Sequence, residues 1–322
     1  MNKEMPIGVS VLKTVATKNH KSRVKESLPL LIMLLPGFIY LFINNYLPLT
    51  GLVIAFKTTD FSKGFLGGAW IGFKNFEYLF KTSDALIITR NTVLYNLVFI
   101  TLGIVVQIAL AIFINEVRRK FFARLYQSAI ILPAVISMVI VSYLVFALLS
   151  SDTGLINKAI LPALGLQPIS WYNTPKYWPF ILVFVNIWKN TGFACIIYLA
   201  TIVGISNDYY EAALIDGASK WKQIRYITLP LLKPTVIMLT ILNIGKIFYS
   251  DFGLFFQVPL DSGTLYSVTN TIDTYVYRGL MEMGDIGMSA AAGLYQSLVG
   301  FLLVMVTNFI VSKVNDGEGA LF

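Results

Sequence analysis

Long apolar runs separated by shorter polar segments dominate the chain. A bilayer core about 30 Å thick needs about 20 helical residues to cross it. Six runs approach that length, at residues 28–47, 91–114, 128–149, 178–203, 234–249 and 290–311. The fifth run is the shortest, and Asn243, Gly245 and Lys246 interrupt it. The pattern predicts an all-α membrane protein with six spanning helices.

The first apolar run follows a basic tail and could be taken for a secretory signal peptide. It is longer than the roughly 7–15 apolar residues of such a signal, and no small-x-small cleavage site follows it. We interpret it as an uncleaved first span. The predicted organisation is a basic tail at 1–27, a membrane domain at 28–312 that contains a polar loop at 205–233, and a second tail at 313–322.

Basic residues mark alternate loops, and cytoplasmic loops carry an excess of Lys and Arg. Besides the N-terminal tail, the basic loop residues are Arg118, Arg119, Lys120, Arg124, Lys220, Lys222, Arg225 and Lys233. Segments 150–177 and 250–289 carry few basic residues, and the basic residues of 48–89 are partly offset by acidic ones. All six spans then fit one topology in the cell membrane, with both termini in the cytoplasm.

Two segments on the predicted outer face have features of their own. Phe73, Phe76 and Phe80 share one side at helical spacing, which predicts an amphipathic helix over 72–80. It could be a lid packed on its own spans or a surface for a partner. Segment 250–289 is rich in aromatic residues and too long for a simple connection. It could meet a delivery protein or pack on the chain itself.

Composition supports the membrane interpretation and excludes several functions. Of 322 residues 56% are hydrophobic and 13% are charged, with a mean hydropathy of +0.70, whereas soluble domains carry about 25% charged residues. The net charge of +8 lies in loops, so it does not indicate nucleic acid. Cys195 is the sole cysteine and His20 the sole histidine, which leaves no internal disulfide and no two-histidine metal site. The sequence has no P-loop for ATP phosphates.

An ion-coupled secondary transporter would also be apolar and polytopic. Such proteins show inverted repeats or paired broken helices, and proton or sodium coupling needs a carboxylate in the membrane. The six predicted spans contain no Asp or Glu, and no internal repeat is evident. A membrane enzyme would need a metal or acid/base cluster. We keep the secondary transporter as the alternative function.

The loop at 205–233 predicts two short helices. Asp208 is a suitable N-cap, and Glu211 three residues later completes a capping box. A helix over 209–215 would end at Gly217, which can adopt a left-handed backbone. A second helix over 218–226 would follow, with Pro230 and Pro234 marking the start of the fifth span. Two short helices at an angle form a projecting knob that a partner can hold.

The letters of this loop resemble the EAA loop of permeases in binding-protein-dependent ABC importers. The matching residues are Glu211, Ala212, Ala213, Gly217, Ile227, Leu229 and Pro230, flanked by Asp216, Ala218 and Pro234, which are usual in the carbohydrate-uptake branch. The stretch Trp188-Lys-Asn-Thr-Gly192 also resembles that branch. Ser250-Asp-Phe-Gly253 and Asp273-Thr-Tyr275 are similar to its oligosaccharide and polysaccharide subgroup.

The resemblance implies a type I importer fold and a set of partners. They are a second, homologous permease, two ATPase subunits and an extracytoplasmic solute-binding protein, in a lipid membrane. This chain would bind no cofactor and would not be an enzyme, because ATP and Mg²⁺ belong to the ATPases. Glu211 would pair with a basic ATPase residue, while Ala212 and Ala213 allow close approach. The implied solute is an oligosaccharide.

Candidate solute-path residues are polar or aromatic side chains at membrane depth, since such groups usually face a protein interior or a water-filled cavity. The candidates are Gln107, Trp188, Asn190, Asn243 and Lys246, and Asn186 and Lys189 lie at similar depth. Amides and aromatic faces suit sugars. Equally, an amide can join two helices, and Lys189 or Lys246 can extend to the interface. In several such importers only one of the two permeases binds solute.

Overall fold

The structure, a computed structural model, describes residues 20–314 apart from 61, 63, 65, 66, 78–80 and 82. At residues 20–27, 83 and 314 it describes the backbone alone. Both predicted tails therefore lie largely outside the described residues. Within the described ranges the chain is helical and has no strand, only an isolated bridge between Lys57 and Trp70. The all-α prediction is confirmed.

In the part of the chain that the structure describes, ten helices carry the architecture. They are α1 (His20–Leu41), α2 (Ser83–Asn115), α3 (Lys120–Val135), α4 (Met138–Leu149), α5 (Trp178–Val203), α6 (Asn207–Ile215), α7 (Lys220–Gln223), α8 (Leu229–Ile244), α9 (Ile272–Met281) and α10 (Ile286–Val314). Turns of π-helix lie at Phe42–Tyr46, Ile156–Ile160, Ile224–Thr228 and Gly253–Gln257. Shorter helical turns, among them Leu47–Phe56, Lys74–Phe76 and Tyr266–Thr269, fill several connections.

The chain divides into two compact units, Met1–Leu52 and Val53–Phe322. In the first unit, α1 and the turns after it expose every side chain from Leu28 to Thr50. A helix that is apolar on all sides is typical of a membrane span. The surface of this unit is therefore suited to contact with lipid.

Among the described residues, five helical segments are long and apolar enough to cross a membrane, and a bent pair would make a sixth. The five are Leu28–Phe56, Asp84–Asn115, Pro175–Val203, Lys220–Ile244 and Ile286–Lys313. The predicted span at 178–203 coincides with α5. The predicted fifth span at 234–249 is misplaced, because its helix begins upstream and ends at Ile244.

The predicted third span at 128–149 is wrong as a single straight helix. The structure has α3 and α4 there, bent by 96°. Ile136 and Ser137 between them are extended, with ψ of 131° and 141°. At the break the Pro133 carbonyl accepts a hydrogen bond from the Ile136 amide at 3.3 Å, and the other last carbonyls of α3 are left without intrahelical donors.

Lys189 of α5 satisfies those carbonyls. Its ammonium donates to the carbonyl oxygens of Pro133 and Ala134, both at 3.2 Å, and to that of Ile136 at 2.5 Å. A cation is also favourable at a helix C-terminus, where the helix dipole is negative. The residue is only 9% exposed. Lys189 therefore neither extends to the interface nor faces a solute path.

A glycine one turn further along α5 lets the two helices touch. A Cβ on Gly192 would lie 2.2 Å from the carbonyl oxygen of Ile130 in α3. Small residues at such contacts let helix backbones approach closely in membranes. Lys189 and Gly192 together fix α3 on α5.

Two hydrophobic clusters lie along α5. The first contains Tyr95, Val141, Val145, Leu149, Trp178, Leu182, Val185, Leu254, Phe255, Val258 and Leu265. The second contains Ala111, Ile114, Cys195, Tyr198, Leu199, Ile202 and Leu232. The first half of α5 thus packs against α4 and segment 250–289, and the second half against α2 and α8. Lys189 lies between the two halves.

Segment 250–289 is folded rather than an open connection, as its length predicts. Buried Arg278 of α9 donates to Asp261 at 2.6 Å and to the Asn270 side chain, and it lies 4.1 Å from the ring centroid of Tyr266. Asp273 accepts hydrogen bonds from the amide and hydroxyl of Ser250 at 2.6 and 2.7 Å. These contacts give the segment a defined shape.

Segment 72–80 is described only in part, and Phe80 lies outside the described residues. The described part is a short 3₁₀ turn at Lys74–Phe76. Phe73 and Phe76 do pack together, with ring centroids 5.6 Å apart, and both contact Phe56. A continuous amphipathic helix over 72–80 stays a prediction.

Candidate functional site

The segment at 205–233, called the knob below, begins with α6. Ser206 is its N-cap, and the Ser206 hydroxyl accepts a hydrogen bond from the Asp208 amide at 3.3 Å. The predicted Asp208 cap is therefore wrong, because Ser206 holds the last non-helical backbone and Asp208 is already in the first turn. There its charge complements the positive end of the helix dipole.

The end of α6 confirms the role predicted for Gly217. Its φ is +72°, a left-handed value that favours glycine. The Ala218 amide donates to the Ala213 carbonyl at 2.8 Å, and the Gly217 amide donates to that of Leu214 at 3.0 Å. This pair of bonds is a Schellman motif. It turns the chain sharply between the two helices of the knob.

The second half of the knob continues into the membrane without a stop. Ser219 caps α7, and Lys220–Ile244 is one helical segment of 25 residues with a π turn at Ile224–Thr228. The predicted separation of a helix at 218–226 from a span at 234–249 is therefore wrong. Pro230 has no N–H to donate to a carbonyl one turn earlier, and the wider π turn precedes it. Residues Ile227, Leu229 and Pro230 therefore lie where the π turn ends and α8 begins.

The tip of the knob is exposed. Glu211, Ala212, Asp216 and Gly217 are exposed, and Ala213 is half-buried. Within the described part of the chain the Glu211 side chain has no hydrogen bond or ion pair. Large apolar side chains project beside it: Ile215 is 88% exposed and Trp221 67%. Large exposed apolar side chains next to one another are typical of an interaction surface.

Three contacts at the base of the knob were not anticipated from the sequence. The hydroxyls of Tyr210 and Thr228 share a hydrogen bond of 3.0 Å. Gln223 is 2% exposed and donates to the Ala218 carbonyl. The Lys220 ammonium lies 3.2 Å from a carboxylate oxygen of Glu116, after α2. A cleft between these elements is also lined by Ile112, Asn115, Ile202 and Ile224.

The structure does not gather the solute-path candidates into one site. Trp188 is 39% exposed, Asn190, Asn243 and Lys246 are exposed, and Gln107 is half-buried. Trp188 and Asn190 are two residues apart on α5 and so face different sides. No hydrogen bond joins the side chains of any two of the five in the described ranges.

The described residues also bear on metal chemistry. Among them no group of three or more His, Cys, Asp or Glu side chains is placed to hold a metal ion.

These features define a class: a multi-pass membrane protein whose spans support a projecting two-helix knob between α5 and α8. The family model for the inner membrane component of binding-protein-dependent transport systems matches residues 99–316. The chain belongs to this family of ABC importer permeases, and it is a transport component rather than an enzyme.

Curated relatives and solved structures agree with that membership. The chain is 36% identical to Protein LplB of Bacillus subtilis (strain 168) over 291 residues, 90% of each chain. It is 35% identical to the polygalacturonan/rhamnogalacturonan transport system permease protein YteP of the same strain, over 89% of this chain and 88% of that protein. It is also similar to a chain of a bacterial ABC transporter that imports the acidic polysaccharide alginate. That match has 32% identity and a TM-score of 0.84 over 92% of this chain and 100% of the other.

The chain is also similar to a bacterial alginate ABC transporter solved in complex with a periplasmic protein that holds an alginate pentasaccharide, and this match has 32% identity and a TM-score of 0.84 over 94% of this chain. Type I importer architecture is therefore shown by the fold as well as by the family. The comparisons give no support to an ion-coupled secondary transporter.

Proposed function

We propose that this chain forms one half of an oligosaccharide path and is driven through the knob. The other half would be a second, homologous permease, and two separate ATPase subunits would bind the knobs of the two permeases. The chain itself would bind neither ATP nor Mg²⁺. An extracytoplasmic solute-binding protein would deliver the solute on the opposite face, with both termini in the cytoplasm.

The observation that carries the proposal is the exposed tip of the knob. Glu211 is a carboxylate without a partner in the described chain, and it lies beside exposed Ala212, which permits close approach. Ile215 and Trp221 add apolar area that is costly in water. A cleft on an ATPase with a basic residue for Glu211 would cover all of these groups.

The small-residue corner at Gly217 supports the same assignment. Asp216, Gly217 and Ala218 leave the turn without bulky side chains, so a partner can reach the α6 backbone. Ile227, Leu229 and Pro230 lie at the π turn and connect the knob to α8. A push on the knob would therefore act directly on a spanning helix.

The solute is proposed from the relatives and from the spans. YteP is named for polygalacturonan and rhamnogalacturonan, and the alginate transporter for an acidic polysaccharide. In this chain Asn243 and Lys246 are three residues apart and both exposed, next to the end of α8. Amide and ammonium groups suit sugar hydroxyls and carboxylates. The proposed solute is an oligosaccharide, and in particular one that contains uronate residues.

Affinity purification of the tagged chain in mild detergent tests the proposal. We expect an ATPase and a second permease in the eluate, identified by mass spectrometry. Glu211→Ala should reduce the ATPase yield, and Glu282→Ala, an exposed carboxylate on α9's end, is the matched control. Recovery of the wild-type chain alone, under conditions that keep a known importer intact, would contradict the proposal.

A second measurement addresses the solute. ATP hydrolysis by the complex, with its co-purified binding protein, is measured with galacturonan trisaccharide, alginate pentasaccharide and an arabino-oligosaccharide. Stimulation by any of them supports the assignment, and a preference for the first two supports a uronate-containing solute. If none stimulates a complex that still hydrolyses ATP, the oligosaccharide assignment is contradicted.

A further inference from the structure

In the described residues, α6 is connected to α8 in two ways, and only one of them can be seen in the sequence. The covalent connection runs from α6 through Gly217 to α7 and then into α8. The other is the hydrogen bond between Tyr210 and Thr228, which are 18 residues apart. Tyr210 precedes Glu211 on α6, and Thr228 lies in the π turn immediately before α8.

We propose that Tyr210 and Thr228 form a latch that transmits motion of α6 directly to α8. The inference rests on the proposed function, because the motion comes from an ATPase bound at Glu211. Tyr210 and Thr228 are positioning residues: they touch neither solute nor nucleotide and act through the helices that carry them.

The covalent connection alone is poorly suited to this task. Gly217 is exposed, has a left-handed backbone and has no atoms within 4 Å of the place where a Cβ would stand. The corner is held by the two backbone bonds of the Schellman motif, and the Gln223 bond to the Ala218 carbonyl lies on the far side of Gly217 from the Glu211 tip, so the corner can bend when α6 is pulled. The latch bypasses that corner and closes a ring that contains α6, the turn, α7 and the π turn.

Burial favours the latch over the ion pair at the same place. Thr228 is 4% exposed, and Gln223, beside it in the same cleft, is 2% exposed. Lys220 and Glu116 have side chains that are 67% and 42% exposed. Exposed ion pairs contribute little net stability because water screens them, whereas a buried hydroxyl that loses its partner is costly. We therefore assign the mechanical connection to the Tyr210–Thr228 hydrogen bond rather than to the Lys220–Glu116 ion pair.

The π turn explains why the contact falls on Thr228. Inserting one extra residue in a helical turn rotates the residues on either side, and π turns often occur at functional positions. Here the turn precedes Pro230 and places Thr228 inward, against α6. Tyr210 reaches it from the side of α6 that does not carry the exposed tip. One side of α6 therefore carries the exposed tip, and the other side contacts Thr228 before α8.

The test uses the complex purified from its host and reconstituted in nanodiscs. Cys195→Ala removes the sole cysteine of this chain. Phe113→Cys on α2 and Met238→Cys on α8, at positions that are 69% and 48% exposed, then carry the two spin labels. The probe is ATP with orthovanadate. We expect trapping to change the label-to-label distance in the otherwise unaltered chain.

Tyr210→Phe and Thr228→Val each remove one hydroxyl and keep the shape. Each should lower the ratio of trapped to resting distance populations by about two- to tenfold, the range of one hydrogen bond, while the ATPase still co-purifies. Tyr143→Phe, at an exposed tyrosine on α4 outside the knob, is the matched control, and Thr228→Ser should restore the response. Because the two hydroxyls share one bond, the double variant should lose no more than either single one.

Two results would overturn the latch. One is a normal response of both single variants with the ATPase bound; the other is additive loss in the double variant. A wild-type chain that captures no ATPase would instead overturn the proposed function, and the latch with it. The stoichiometry of the eluate therefore separates the two failures.

Discussion

The Lys189 ammonium lies 2.5 Å from the carbonyl oxygen of Ile136, the first residue after α3. The charge is thus placed at the negative end of a helix dipole and inside the protein. In the described ranges no carboxylate pairs with it; its partners are backbone carbonyls from the last turn of α3. A break in a span is tolerated at membrane depth only where protein or water satisfies the freed backbone groups. Here the Lys189 ammonium supplies the hydrogen-bond donors.

Lys189→Met should destabilise the permease strongly. The substitution keeps most of the side-chain volume but leaves the carbonyls of Pro133, Ala134 and Ile136 without this donor. The Pro133 carbonyl still accepts a hydrogen bond from the Ile136 amide, so the cost falls on the other two carbonyls, and each buried unsatisfied group costs about 1–3 kcal/mol. We expect a clear drop in the apparent melting temperature, measured by size-exclusion chromatography of the heated, fluorescently tagged protein. Lys246→Met, at an exposed lysine, should change it little. Equal melting temperatures for the two variants would contradict the capping role.

The break itself could not be predicted from the sequence. Residues 128–149 are apolar and of spanning length, so local pattern favours one straight helix. Pro133 removes one donor, but prolines also occur inside other helices of this chain, such as Pro234 in α8. What decides the break is Lys189, about 55 residues away in the sequence. Contacts of that separation are invisible to periodicity.

Other parts of the site followed from local chemistry alone. The exposed knob, its turn at Gly217 and α5 at 178–203 each depend on nearby residues, and each was predicted. The N-cap at Ser206 and the π turn before Pro230 were missed because a shift of one or two residues leaves the pattern almost unchanged. The Tyr210–Thr228 contact depends on how two helices pack, which no spacing rule encodes.

Gly192→Ala should separate α3 from α5. The new Cβ would lie 2.2 Å from the Ile130 carbonyl oxygen, and backbone cannot move aside as a flexible side chain can. Overpacking of this kind costs about 1–3 kcal/mol. The readout is the yield of monodisperse protein after heating in detergent. Gly293→Ala in α10 is the matched control, because open space surrounds that glycine. If Gly192→Ala is as stable as Gly293→Ala, α3 can move away from α5 at no cost, and the close contact at Gly192 does not stabilise the protein.

Arg278→Leu should loosen segment 250–289. Arg278 is buried and joins Asp261, Asn270 and the Tyr266 ring. Removing it leaves the Asp261 carboxylate, 24% exposed, without its cation, and breaking a pair of this kind is destabilising. We expect thermolysin to cleave the segment several-fold faster in the purified protein.

The double variant Asp261→Leu with Arg278→Leu separates the ion pair from simple loss of packing. Because it removes both charges, no carboxylate remains unpaired, and cleavage should slow again toward the wild-type rate. Arg225→Leu, at an exposed arginine, controls for loss of charge alone. A double variant that is cleaved faster than Arg278→Leu would show that the pair is not what holds the segment.

Gly217→Ala should weaken the capture of the ATPase without unfolding the spans. A side chain in the left-handed conformation costs about 1 kcal/mol, which corresponds to about a fivefold loss in affinity if the knob must keep this turn to fit its cleft. Gly165→Ala is a closely matched control: its φ is +69°, it has the same pair of backbone bonds, and it lies in the connection after α4. Gly217→Asn should retain most of the binding, because asparagine tolerates this backbone better than other residues. The measurement is the amount of ATPase that co-purifies per permease. Equal losses from Gly217→Ala and Gly165→Ala would mean that the strain acts through general stability rather than through the shape of the knob.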